Sequence, residues 1–165
     1  MEQVNLQFNY NENEYVNAVQ NYLLKKNKIK RDLIFSIILV VGGLIAMIFR
    51  GYSFIWLVNI FVGIFFVSIV YAIYYIFPAI RFKKEPIFGQ DISLIINEDG
   101  VTFNYAKTNS VSKWSDYREI LENNDFFYLV FGKNMYRILP KRIFTLSEVD
   151  TFKEVIKDKI KLKSL

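Results

Sequence analysis

Pro140 is followed directly by Lys141 and Arg142, two adjacent cations at the end of the apolar run MYRILP (135–140). Paired cationic donors of this kind suit a phosphate or carboxylate. Lys113 and Arg118, in KWSDYREI, are placed to join them. A plainer role suits Lys141 and Arg142 better: capping a sheet edge and lying near anionic lipid headgroups, as surface charge clusters often do. Trp114, beside Lys113, reads as a core anchor, because large aromatic side chains most often serve packing.

Other chemistry is thinly represented. The 165 residues include no cysteine and no histidine, which removes disulfides, thiol and imidazole catalysis and Cys/His zinc sites. Glu98 and Asp99 sit side by side in NEDG and read as turn formers rather than an acid/base pair. GKN at 132–134 lacks the preceding glycine and the following helix that a phosphate-cradling loop needs. With no convergent catalytic groups, the sequence predicts a protein that is not an enzyme and holds no cofactor and no metal.

The elements that must position these residues follow from periodicity. VNLQFNY alternates, with Val4, Leu6, Phe8 and Tyr10 on one face, and predicts a half-buried strand. An amphipathic helix follows, capped by Asn11 or Asn13 and carrying Tyr15, Val19, Tyr22 and Leu23 to one side. Residues 91–140 read as a meander of six short strands: ISLII, VTFNY, VSKW, DYREILE, FFYLVF and MYRILP, with turns at NEDG, AKTNS, ENND and GKN. Thr145 and Glu148 have capping-box spacing at the head of a helix whose apolar stripe is Val149, Phe152, Val155, Ile156 and Ile160. The predicted packing is a bent antiparallel sheet, a partial barrel, closed by this C-terminal helix.

Between these polar parts lies a different material. Arg50 is the only charged residue between Asp32 and Arg81. Spans at 31–49 and 53–75 each match the roughly 20 apolar residues of one membrane crossing, with Arg50-Gly51 as the hairpin tip. Lys25, Lys26, Lys28, Lys30 and Arg31 precede the first span, and Arg81, Lys83 and Lys84 follow the second. That bias predicts both termini in the cytoplasm, the chain being multi-pass in a cytoplasmic membrane. The same eight cations suit acidic membrane lipids. The organisation is then residues 1–30 as a cytoplasmic strand and helix, 31–80 as the transmembrane hairpin and 81–165 as a cytoplasmic domain. Topology puts the VNLQFNY strand beside the six later ones, predicting a seven-stranded sheet. Within the hairpin, Gly42, Gly43, Ala46 and Gly63 offer small surfaces for helix packing, inside the hairpin or against a second copy of the chain. Asn59 reads as an interhelical hydrogen-bond former rather than part of a pathway, and Ser36 and Ser68 as bonded to their own helices. The formal charge of +5 is spread along the chain without a dense basic stripe, so no nucleic-acid partner is expected.

INEDGVTF, the KWSDYREILENNDFFYLVF stretch and ILPKRIF (138–144) leading into TFKEVI together resemble YcxB-like membrane proteins of bacteria, over roughly residues 85–160. The resemblance implies two membrane spans joined to a small domain related to bacterial pleckstrin-homology-like (PH-like) folds. Two functions compatible with it are a non-catalytic module that binds a protein, peptide or lipid headgroup at the inner membrane face, and an immunity protein against a membrane-active toxin or bacteriocin. Sheet edges accept added strands through backbone groups alone, so the first function needs no distinctive side chains.

Overall fold

The alternation of VNLQF is realised as strand β1 (Val4–Phe8), in which Val4, Leu6 and Phe8 are buried and the residues between them exposed. The computed structural model describes residues 3–26, 29–132 and 135–165. Lys28 of the basic flank and Lys133 and Asn134 of the GKN turn lie outside them. The chain forms two compact units: the described residues of Met1–Ala18 with Lys83–Leu165, and Val19–Phe82. Helix α1 (Glu12–Lys26) is shared between them.

In the first unit, β1 pairs antiparallel with β2 (Ile92–Ile96), from Val4 opposite Ile96 to Phe8 opposite Ile92. NEDG then turns the chain, the Asn97 side chain accepting from the backbone N–H groups of Asp99 and Gly100 at 3.0 Å each. Strand β3 (Gly100–Tyr105) runs back along β2, and β4 (Thr108–Lys113) runs along β3. The β3–β4 turn is Ala106-Lys107 alone, with Ala106 at φ 49°, a left-handed conformation that non-glycine residues rarely adopt. AKTNS is therefore a two-residue turn followed by the start of a strand.

The sequence predicts one seven-stranded sheet; there are instead two four-stranded sheets, ordered β1-β2-β3-β4 and β7-β6-β5-β8. The break comes at Trp114–Asp116, a single 3-10 turn. It sends the Trp114 ring into the core at 4% exposure, with its indole N–H on the Asn97 carbonyl at 2.9 Å. The predicted DYREILE strand is consequently only β5 (Glu119–Glu122), followed by β6 (Phe126–Val130) and β7 (Tyr136–Pro140). β1 joins a sheet as expected. The sheets do not close into a barrel, since β4 and β7 share no backbone ladder.

Thr145 and Glu148 form both bonds of a capping box at the head of α5 (Leu146–Ile156). The predicted helix is longer than the observed one. After Ile156 the chain turns and forms β8 (Leu162–Ser164), parallel to β5, because IKLKSL alternates with period two rather than continuing the helical stripe. Both sheets and α5 share one core, in which Leu94, Val101, Ile120, Phe127, Leu139 and Phe152 are fully buried.

In the second unit, α2 (Ile29–Arg50) ends at Gly51, whose φ of +77° makes the turn to α3 (Phe54–Tyr71). Arg31–Arg50 and Phe54–Lys84 are long and apolar enough to cross a membrane. Only 11% of each apolar window is buried, and side chains such as Ile48 and Phe49 stand open. The second helix exceeds its predicted end at 75. A π-helical turn, Ala72–Ile76, carries it into α4 (Phe77–Lys84). Pro78 explains this irregularity: it has no N–H for the Tyr74 carbonyl one turn back. The Gln20 amide donates to that carbonyl instead, at 3.3 Å.

Candidate functional site

Lys141 and Arg142 lie together on a 3-10 turn, Lys141–Ile143, but their charged ends diverge onto acids of the chain itself. Lys141 Nζ is 2.6 Å from Glu122, 4.8 Å above the Phe127 ring, and shares the carboxylate with Lys153 at 2.9 Å. Burial alone would raise the Glu122 carboxyl, but hydrogen bonds from Lys141 and Lys153 outweigh it and hold the group below the usual carboxylate range. Arg142 grips Glu14 with two bonds of 2.7 and 2.8 Å and donates to the Asn9 carbonyl at 2.8 Å. The two cations thus tie the second sheet and the N-terminal segment to the fold and do not converge on a shared anion.

Lys113 and Arg118 are exposed, and among the described residues neither side chain forms an ion pair. Glu98 and Asp99 occupy the Asn97 turn, and Lys159 donates to the Glu98 carbonyl. No three acidic side chains gather as a metal site among the described residues. In the hairpin, Gly43 packs under Ile60 and Gly63 against Val40 and Ser36, whereas Gly42 meets nothing within 4 Å. Ala46 and Asn59 are half-buried, and among the described residues the Asn59 side chain makes no hydrogen bond. Ser36 and Ser68 bond to their own helices at the Asp32 and Ile64 carbonyls.

The most open recognition element is the outer edge of β4. Tyr105 and Thr108 flank a two-residue turn, which makes them a hydrogen-bonded pair. Bonded pairs recur at every second position, so Thr108, Ser110 and Ser112 direct their backbone groups to β3 while Asn109, Val111 and Lys113 direct theirs outward. Asp116 accepts from the Lys113 N–H at 2.8 Å, but no strand pairs with Asn109 or Val111 among the described residues. The Val111 side chain is 70% exposed. Other edges are blunted: β8 has three residues, β7 ends in Pro140, and Arg142 occupies the Asn9 carbonyl just past β1.

Arg137 of β7 spans the seam beside this edge. Its guanidinium carbon lies 4.3 Å above the Phe103 ring, and Nη2 donates to Ser110 Oγ at 2.8 Å. Nη1 is buried without an acceptor among the described residues. Tyr10 Oη donates to the carbonyl of the adjacent Ile138. Burial pushes the Tyr10 phenol well above its usual value, assisted by Tyr15 and Glu14 and opposed by the Arg137 charge, so it remains a donor. Sequence reasoning missed this site because TNS reads as loop. One signal was present: in MYRILP, Arg137 shares a strand face with Leu139, a core residue, and a cation there is unusual.

Residues 96–156, from the end of β2 through α5, match the family model described as YcxB-like protein, a stretch that contains ILPKRIF. No curated protein and no solved structure matches the chain.

Proposed function

We propose that the chain is an integral protein of a bacterial cytoplasmic membrane, both termini in the cytoplasm, whose PH-like unit holds an extended segment of a partner protein along β4 without catalysis. The observation that carries this reading is the unpaired outer edge of β4, where Asn109 and Val111 offer four backbone groups to a guest strand. The edge belongs to a sheet packed on a buried core, and an already ordered strand limits the entropy lost on binding.

Two sheets and a C-terminal helix around one core, with the YcxB-like match, support the PH-like assignment. The exposed apolar surfaces of the two long helices support insertion. Eight basic residues at their polar ends against Arg50 at the hairpin tip support the orientation and a contact with acidic lipids.

A photocrosslinking amino acid at Asn109, in cells of the native host, tests the reading. It is expected to give a discrete protein adduct that Val111→Pro removes, while the same probe at exposed Asp150 gives none. Adducts with lipid alone, or adducts that survive Val111→Pro, contradict it.

A further inference from the structure

We infer that the strand received by β4 carries an aspartate or glutamate opposite Ser110, and that Arg137 is the residue that selects it. The inference rests on β4 being the docking edge and adds the chemistry of the guest.

Register supplies the position. A guest bonded to Asn109 and Val111 places its intervening residue directly across from Ser110. Residues directly opposite point to the same face of a sheet, so that side chain emerges where Ser110 Oγ already meets Arg137 Nη2. The neighbouring Nη1 is the buried donor that lacks an acceptor, and among the described residues no carboxylate pairs with Arg137. A buried unpaired donor of a charged group is costly and rare in native folds. The ring of Phe103 beneath the guanidinium keeps its plane fixed, and a fixed guanidinium suits the two oxygens of a carboxylate.

Lys107 in the turn and Lys113 at the far end are exposed, and neither forms an ion pair among the described residues. At the far end the Asp116 carboxylate sits on the Lys113 N–H, so the demand for an acid centres on the position opposite Ser110. The Tyr10 phenol is committed to the Ile138 carbonyl.

The test uses the full chain in phosphatidylcholine nanodiscs, panned against a random heptapeptide library. Bound peptides are expected to show Asp or Glu enriched at a single central position. Arg137→Gln should weaken such a peptide about 10- to 100-fold and leave its Asn or Gln counterpart nearly unchanged. Ser110→Asp gives Arg137 an internal carboxylate. It is expected to fold at least as well as the parent and to abolish the acid preference, so the inference stays testable if Arg137→Gln unfolds. Peptides that bind wild type but not Val111→Pro, with no acidic preference, would overturn the inference and leave the docking edge standing. An acidic preference that survives both Arg137→Gln and Ser110→Asp overturns it as well. A library that yields no peptide dependent on β4 refutes the docking edge itself, and this inference with it.

Discussion

Arg142 and Glu14 are joined through two hydrogen bonds of 2.7 and 2.8 Å although 128 residues separate them in the chain. The pair fixes the start of α1 beside the turn that follows β7, although the two long apolar helices lie between them in the sequence. Arg142 is half-exposed and Glu14 largely covered. Exposed ion pairs contribute little, but a bidentate guanidinium–carboxylate pair belongs to the stronger class. Arg142→Glu is expected to destabilise the first unit by about 1–2 kcal/mol without weakening a β4-bound peptide. The exchange Glu14→Arg with Arg142→Glu should recover most of the loss. Thermal unfolding and peptide affinity, measured on the same samples, separate the two effects.

Glu122 makes the fold acid-sensitive in a predictable direction. Its folded carboxyl titrates below the usual range, because the bonds from Lys141 and Lys153 overcome the effect of burial. The associated stability is complete above the ordinary carboxylate value of about 4.3 and is lost as pH falls from there through the lower folded value. Glu122→Gln should cost about 1–2 kcal/mol at neutral pH and flatten the decline in stability below about pH 4.3. Glu148, lowered chiefly by the Thr145 N–H, acts in the same sense but is highly exposed to screening. Denaturant titrations at pH 7 and pH 3.5, roughly either side of that value, check the sign.

Much of the fold was legible in the sequence, for reasons that differ by element. VNLQF and ISLII declare themselves because one face of each is fully committed to the core, and Thr145 with Glu148 because capping is local chemistry. Arg50-Gly51 marked the hairpin tip by interrupting an uncharged run. β4 was only half visible: TNSVSK has no apolar face, its place being set by pairing with β3 and not by burial. β8 was masked by lysines shared with the preceding helix. Lys141 and Arg142 are adjacent in the sequence, but their acid partners, Glu122 and Glu14, come from distant segments that local spacing does not reveal.

Small residues in the hairpin divide by face. A methyl group on Gly63 would fall 2.5 Å from Val40 Cγ2 and 2.9 Å from the Ser36 carbonyl, while one on Gly42 would meet nothing. Gly63→Ala is expected to weaken α2–α3 packing by about 1–3 kcal/mol, the usual cost of overpacking. Gly42→Ala should stay within about 0.5 kcal/mol, as surface changes do. Unfolding measured in bicelles distinguishes them. A loss of function in Gly42→Ala without loss of stability would identify that open face as a contact for another helix.

Gln20 and Pro78 should behave as a coupled pair. Pro78 frees the Tyr74 carbonyl, and Gln20 occupies it. Gln20→Ala is expected to cost about 1 kcal/mol, typical of a single hydrogen bond, and much less in a Pro78→Ala background, where the backbone N–H restores a partner. A double-mutant cycle measures the difference; equal costs in both backgrounds would show that the two residues are independent.

The docking edge is tested most directly by amide hydrogen exchange along β4, residue by residue, before and after addition of a library-selected peptide to the full chain in nanodiscs. In the free protein the N–H groups of Thr108, Ser110 and Ser112 should exchange slowly and those of Asn109 and Val111 quickly. Peptide binding should slow Asn109 and Val111 selectively. Unchanged exchange at both, under conditions where the peptide is bound, would contradict strand addition at β4.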